Sequence, residues 1–166
     1  MKCPQCRHEV VRSVENHRYT ESGLSNVVLV GVEVRRCQSC GESMVSIPRI
    51  EELHCAIAME LIRQSGRLAP SEIRFLRKWL GWSGVDFARH MGVAPETVSR
   101  WESAESPKPM GGTAERLLRL AVAHGQPVDE YPIARLLEIS DEQAPDTTLL
   151  AMKPGRTGWT PTKLAA

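Results

Sequence analysis

Two kinds of hydrophobic periodicity divide the chain. Residues 10–14 contain three valines around two polar positions, and a valine-rich run extends from Val27 to Val34, both of which are typical of β-strands. From Ile50 to Leu61, apolar residues instead recur every three or four positions, as in an amphipathic helix that ends near Gly66. The pattern predicts an α+β fold, in which a small antiparallel sheet precedes a set of helices.

Helix boundary signals continue beyond Gly66. Ser71 is suited to the N-cap of a helix that stops at Gly81, because glycine readily takes the left-handed conformation after a helix. Ser83 and Asp86 have the spacing of a capping box, and Gly92 ends the helix that they begin. The predicted helices run over residues 71–80, 83–92, 95–101 and 113–124, with a last short helix over 131–139.

The chain has 166 residues with a globular composition, which favours two small domains. We predict a β domain with its linking helix over residues 1–66 and a helical domain over 67–139. Residues 140–166 are rich in Pro, Thr, Gly and Lys with little apolar periodicity, and are predicted to form a flexible tail. No run of eighteen apolar residues and no apolar stretch behind Met1 is found, so we expect a cytoplasmic protein without membrane contact.

Two C-x-x-C pairs, Cys3 with Cys6 and Cys37 with Cys40, are the strongest chemical signal. In a reducing compartment such pairs indicate a metal site rather than disulfides. A two-residue spacer turns both thiolates inward, and two such turns complete the tetrahedral S₄ shell that zinc prefers. Since four protein ligands leave no position for water, we predict one structural Zn²⁺ per chain, which also stabilises a sheet too small to fold alone.

Three other interpretations of these cysteines remain open. The same S₄ shell holds iron in rubredoxin-like electron carriers, and either pair alone resembles a thioredoxin-like dithiol. His8 is a conceivable substitute for one cysteine. The fifth cysteine, Cys55, follows His54, but neighbouring helix positions point about 100° apart, so we predict a small buried side chain rather than a catalytic pair.

Positive charge is concentrated in the middle of the chain. The net charge is only +1, but residues 63–125 contain ten Lys or Arg against six Asp or Glu. Residues 47–62 and 126–166 each carry a net charge of −2. A local basic segment is what nucleic-acid binding requires, since contact depends on where the charge lies. Lys108 and the arginines between Ile73 and Lys78 are interpreted as ordinary surface residues.

Within this basic segment, small and apolar residues fit two helices that cross steeply. Ala88 is small enough for the crossing point, and Gly92 allows the tight turn between the helices. Val93, Val98 and Trp101 then close the core beneath the pair. The sequence therefore predicts a helix-turn-helix.

The outer face of the second helix contains Glu96, Thr97 and Arg100, the candidates for reading a major groove. Arg100 can bind O6 and N7 of guanine together, a contact worth roughly 1–3 kcal/mol in discrimination. Glu96 can accept from a cytosine amino group or form an i,i+4 pair with Arg100, and we favour the ion pair. Thr97 can offer its methyl group to thymine or its hydroxyl group to phosphate.

Ser83, Arg89 and Ser99 complete the DNA-binding candidates. Ser83 at a helix start and Arg89 beyond it suit phosphate contacts, which position a protein without reading sequence. The competing interpretation is a plain helical bundle whose surface residues are only solvated. The glycine turn and the basic balance together favour DNA binding.

The segment Phe87–Glu102 resembles the Xre/Cro-type helix-turn-helix, and Leu117–Leu120 resembles its closing helix. Together with both C-x-x-C pairs and the apolar run at Val27–Gly31, the layout over about Met1–Glu138 resembles the MqsA/YgiT family of zinc-containing antitoxins. The resemblance implies a homodimer that binds a palindromic double-stranded operator and represses its own operon. It also implies that the zinc domain binds a ribonuclease toxin.

Two departures limit this resemblance. The best-known member of the family reads DNA with an asparagine followed four positions later by an arginine, whereas this chain has Glu96 before Arg100. The operator is therefore expected to differ. The segment after Ser140 is not required by the family layout.

Three functions follow from these observations. The first is a type II antitoxin that represses its own operon, and the second is a stand-alone zinc-containing regulator without a toxin. The third is a rubredoxin-like metal or redox protein. The sequence does not indicate an enzyme, because no Ser/His/Asp, paired-carboxylate or phosphate-loop constellation has usable spacing.

Overall fold

The computed structural model describes residues 1–105, 108–125, 139 and 144–164. Five strands and five α-helices lie in these ranges, with a 3₁₀ turn over Thr20–Ser22. The strands are β1 (Val10–Arg18), β2 (Val27–Cys37), β3 (Ser43–Ser46), β4 (Leu150–Pro154) and β5 (Trp159–Thr162). The helices are α1 (Ile50–Arg63), α2 (Pro70–Trp79), α3 (Gly84–Met91), α4 (Pro95–Trp101) and α5 (Gly112–His124).

Strand β2 is the centre of the sheet. It pairs with antiparallel β1 on one side, while β3 and β4 share its other side, and β5 extends the sheet beyond β4. The β2–β4 pairing is parallel, so the sheet is mixed rather than wholly antiparallel. The buried positions change from Val27 and Leu29 to Val32 and Val34 because the register shifts at a bulge, which Gly31 permits with φ +66°. The predicted α+β class is confirmed.

The C-terminal strands correct the sequence prediction. A flexible tail after Ser140 is wrong for residues 150–162, which form β4 and β5 and bury Met152 and Trp159. The Trp159 indole N–H also donates to the carbonyl of Pro48 at 2.8 Å. Strands of five and four residues are too short to show a clear period of two, and a proline in each argues against a strand.

Smaller differences concern element boundaries. Strand β3 was not predicted, and α2 begins at Pro70 rather than after Ser71. The N-cap is Ala69, whose backbone N–H donates to the Glu72 carboxylate at 2.8 Å. The helix predicted over 131–139 lies outside the described residues, apart from its last position.

Contacts divide the chain into two compact units. The sheet unit comprises Met1–Thr20, Ser25–Ala56 and the described part of Leu149–Ala166, and the helical unit comprises Glu21–Leu24 and the described part of Ile57–Thr148. The division falls inside α1 rather than after residue 66, and the C-terminal strands belong to the sheet unit. Both ends of the chain therefore build the sheet.

The helical unit has its own apolar core. Its buried side chains come from α1, α2 and the three following helices, among them Leu61, Leu76, Phe87, Leu118 and Val122. In the described residues, no helix has both the length and the apolar character needed to span a membrane.

Candidate metal centre and nucleic-acid interface

Cys3, Cys6, Cys37 and Cys40 meet at one end of the sheet. Their sulfur atoms all lie within 4.8 Å of one another, with 3.3 Å between Cys6 and Cys37 and 3.6 Å between Cys3 and Cys40. Zinc–sulfur bonds of about 2.3 Å require tetrahedral sulfur–sulfur separations of about 3.8 Å. The cluster therefore has the size and donor set of one structural zinc site, as the sequence predicted.

The two cysteine turns have the same backbone geometry. Arg7 N–H donates to the carbonyl of Cys3 at 2.9 Å, and Gly41 N–H donates to the carbonyl of Cys37 at 2.9 Å. In both turns the first cysteine donates its own N–H to the carbonyl five residues later, at 2.8 Å. Arg7 and Gly41 both have left-handed backbones, with φ 62° and 76°. The turns thus aim four sulfur atoms at one point.

The four crowded sulfur atoms shift the pKa values of two of their thiols in opposite directions. A hydrogen bond from the backbone N–H of Cys40 lowers the pKa of the Cys37 thiol to about 6, so this sulfur ionises readily. For Cys40, the backbone N–H of Glu42 opposes the shift, but the Cys6 sulfur, burial and the other two thiols raise the pKa to about 12. A divalent cation removes this conflict because it stabilises every thiolate at once.

His8 and the fifth cysteine, Cys55, lie outside this cluster. His8 is exposed, and among the described residues the cluster comprises cysteines alone. Cys55 is only half-buried on α1, and burial and the charge of Glu52 raise the pKa of its thiol. The His54 ring lies 2.9 Å from the hydroxyl of Tyr19, which is buried. His54 therefore has Tyr19, rather than Cys55, as a hydrogen-bonding neighbour.

Helices α3 and α4 form the predicted helix-turn-helix. The Ser83 hydroxyl accepts from the backbone N–H of Asp86, and the Asp86 carboxylate accepts from the N–H of Ser83, which completes the capping box. Gly92 ends α3 with φ 66°, as the turn requires. Phe87 packs edge-on against Trp101 with ring centroids 6.0 Å apart, so the two helices share one core.

An ion-pair cluster not predicted from the sequence holds the end of α4. Glu102 is 7% exposed and accepts from the guanidinium groups of Arg77 and Arg74. Arg77 also donates to the carbonyl of Trp82 at 2.9 Å, and the hydrogen bond to Glu102 raises the pKa of Arg77 above its usual value. Arg77, with a side chain only 13% exposed, is therefore not the ordinary surface residue that the sequence predicted, whereas Arg74 remains exposed. A pairing across 25 positions leaves no local sequence signal.

The three predicted base readers lie on α4. Glu96 and Arg100 are exposed and Thr97 is half-buried, while Val98 and Trp101 are buried on the opposite face. The favoured ion pair between Glu96 and Arg100 is not formed in the part of the chain that the structure describes. Both charged side chains therefore point into solvent without an intramolecular partner there.

The three further candidates differ in how far their side chains are engaged. The Ser83 hydroxyl donates to the Asp86 carboxylate at 2.6 Å, so capping already uses it. Ser99 donates to the carbonyl of Pro95 at 3.3 Å along α4. Arg89 is 76% exposed and lies 3.9 Å from Asp86, which leaves its guanidinium accessible.

Comparison with known families identifies the chain's relationship to bacterial antitoxins. The model of the family described as the antitoxin component of bacterial toxin–antitoxin systems, MqsA, matches residues 1–131. No curated protein and no solved structure is significantly similar to the chain. The match covers the metal centre, the linking helix and the helix-turn-helix, but ends before β4 and β5. The chain therefore belongs to the MqsA family of antitoxins.

Proposed function

We propose that this antitoxin binds double-stranded operator DNA as a homodimer, represses its own operon in the cytoplasm and binds a ribonuclease toxin through its sheet unit. The observation that carries the DNA-binding part is the accessible face of α4, which contains Glu96 and Arg100. Membership of an antitoxin family supports the toxin-binding part. Zinc has a structural role in this proposal, and no residue has a catalytic one.

The proposed recognition begins with the outward face of α4 in the major groove. The Arg100 guanidinium is not held by Glu96, so it can bind guanine O6 and N7 in two parallel hydrogen bonds. Glu96 is then available to accept from a cytosine amino group rather than to brace Arg100. Thr97 contacts a thymine methyl group or a phosphate. This set favours a site with at least one G·C pair in each half.

Backbone contacts would position α4 on the duplex. Arg89 is the strongest candidate because its guanidinium is exposed, whereas the single hydroxyl hydrogens of Ser83 and Ser99 must leave their present acceptors before they can bind phosphate. Residues 63–125 have a net charge of +4, so binding should weaken as salt rises. A homodimer places two α4 helices in half-sites about one helical turn apart, which requires a palindromic operator.

Substitution of Arg100 tests the DNA-binding proposal. We expect Arg100→Ala to weaken binding to the DNA upstream of its own coding frame by roughly 1–3 kcal/mol and to relax the preference at one base position. Arg63→Ala, which removes an equally charged and exposed side chain at the end of α1, should leave binding unchanged. A footprint and an affinity that are the same for both variants would exclude α4 as the reading helix.

The second candidate function is a stand-alone regulator without a toxin. It shares the DNA-binding face, so only the presence of a partner separates it from the antitoxin. We expect a small ribonuclease encoded beside this chain to co-purify with it from the native cell and to be identified by mass spectrometry. The ribonuclease should not co-purify with the Cys37→Ser variant, because the sheet unit of this variant lacks a zinc ligand. Absence of such a partner from the wild-type preparation would favour the regulator.

A further inference from the structure

Two short segments of the helical unit lie side by side. We call residues 64–68, between α1 and α2, the outgoing segment, and residues 145–148, which lead towards β4, the return segment. Arg67 and Pro145 form an isolated parallel bridge between them. The path into the helices and the path out of them are therefore in direct contact.

Gly66 allows this contact because it has no side chain. A Cβ atom at residue 66 would lie 2.8 Å from both the Cβ atom and the backbone nitrogen of Asp146. Ordinary van der Waals contacts of carbon require about 3.5–4.0 Å, so any side chain here must displace the return segment. Backbone conformation is not the reason for glycine, since Gly66 is not among the positions with positive φ.

A buried arginine of α5 fixes the outgoing segment. Arg119 is fully buried and donates to the carbonyls of Ile62, Gln64 and Gly66 at 3.1, 2.5 and 2.5 Å. It also donates to Glu115 at 2.8 Å. One side chain therefore binds the last turn of α1, Gln64 and Gly66, the residue that contacts the return segment.

Glu115 connects Arg119 to the rest of the outgoing segment. This carboxylate is 1% exposed and accepts from the guanidinium of Arg67 and from the backbone N–H of Leu68 at 3.1 Å. Arg67 also donates to the carbonyl of Met110. Because these charges are buried, any displacement of the outgoing segment leaves polar groups without partners, which makes the arrangement cooperative.

The return segment continues, through Leu149, directly into β4 of the sheet unit. Leu150 N–H donates to the carbonyl of Asn26 at 2.6 Å, and β4 then pairs with β2. The guanidinium of Arg49 donates to the carbonyls of Gly155 and Arg156, which form the turn between β4 and β5. This hairpin lies beyond the residues that the family model matches.

We propose that the β4–β5 hairpin and the outgoing segment form one cooperative element. Pairing of β4 with β2 holds the return segment against Gly66, and detachment of the hairpin loosens the connection that leads into α2. A partner that detached the hairpin would thereby act on the helices proposed to bind DNA. The effect on DNA-binding helices rests on the proposed function. The coupling between the hairpin and the outgoing segment does not rest on it, because amide exchange measures that coupling directly.

The first test starts from the outgoing segment. Hydrogen exchange is measured by mass spectrometry on the zinc-loaded full chain with Gly66→Ala, and with Gly111→Ala as the control, because a Cβ atom at residue 111 meets nothing within 4 Å. We expect the β4 amides to exchange about tenfold faster in Gly66→Ala only. Equal β4 exchange in the two variants overturns the proposal.

The second test starts from the hairpin. Arg49→Gly removes the guanidinium that binds the turn and suits the positive φ of 49° at that residue, and Trp159→Ala removes the buried ring. Both variants should speed exchange in the hairpin and also at the Leu68 amide. Faster exchange in the hairpin with unchanged exchange at the Leu68 amide overturns the coupling. Hairpin exchange that is unchanged in both variants also overturns it. If the wild-type chain fails to bind operator DNA, the proposed function fails while the exchange results still stand.

Discussion

Arg7 has, in the first cysteine turn, the left-handed backbone that Gly41 has in the second. The two residues follow the first cysteine of their pair by the same four positions and donate the same backbone hydrogen bond. Glycine takes this conformation freely, whereas a residue with a Cβ atom carries a steric cost of roughly 1–2 kcal/mol. The two halves of the metal centre are therefore alike in geometry and unequal in strain.

This asymmetry predicts opposite effects of two substitutions. Arg7→Gly should relieve strain and raise the free energy of unfolding of the zinc-loaded sheet unit by up to about 1 kcal/mol. Gly41→Ala should lower it by a similar amount. Thermal unfolding and competition with a zinc chelator measure both effects. A Gly41→Ala protein as stable as wild type would show that the second turn does not need its left-handed residue.

Loss of one thiolate should separate the stabilities of the two units. In Cys37→Ser we expect zinc binding to fall below one ion per chain and strands β1–β3 to lose amide protection, because metal binding supplies much of the folding free energy of so small a sheet. The core of α3–α5 should keep its protection. Cys55→Ser, which changes a thiol outside the cluster, is the control. Undiminished zinc content in Cys37→Ser would mean that the assigned ligand set is wrong.

The buried carboxylate of Glu102, at the C-cap of α4, should be important for stability. Glu102→Gln leaves the Arg77 guanidinium half-buried without its charged partner, which is expected to cost about 3 kcal/mol of unfolding free energy. Glu96→Gln, on the exposed face of the same helix, should change stability by less than about 0.5 kcal/mol. Urea unfolding of both variants measures the difference. Similar midpoints for the two would contradict the role given to Glu102.

The capping box of α3 should make helix stability depend on acid. Hydrogen bonds from the Ser83 side chain and backbone lower the pKa of Asp86 below its usual 3.8. The folded chain therefore binds this proton less tightly than the unfolded chain does, so the stabilisation is complete above pH 3.8 and is lost as pH falls through the folded pKa. Urea unfolding followed by far-ultraviolet circular dichroism should show wild type more stable than Asp86→Ala at neutral pH. The difference should shrink below pH 4, and a constant difference would rule out this carboxylate as the source.

Local sequence signals identified the parts of the fold that depend on neighbouring residues. The two C-x-x-C spacings located the metal centre, and Pro95 and Trp101 are the observed bounds of α4. The two C-terminal strands gave no such signal, because β4 depends on pairing with a strand more than a hundred residues earlier. Sequence periodicity cannot report a partner at that distance.

Helix α5 shows how the same limit applies to single side chains. Leu117 and Leu120 are 44% and 43% exposed, whereas Arg119 between them is fully buried. A hydrophobicity pattern predicts the reverse, with both leucines buried and Arg119 exposed. Arg119 is buried because three carbonyls near the end of α1 and the Glu115 carboxylate accept from the two terminal nitrogens of its guanidinium, and none of those carbonyls lies within fifty positions of it.

The sheet that is built from both ends of the chain has a consequence for biosynthesis. The ribosome delivers Cys37 long before Leu150, and at about 5–20 residues per second the interval is roughly 6–23 s. During that time the N-terminal half of β2 has no strand beside it on the β4 side. A nascent antitoxin thus spends seconds with an open strand edge, which closes only after residues more than a hundred positions further along the chain have been translated.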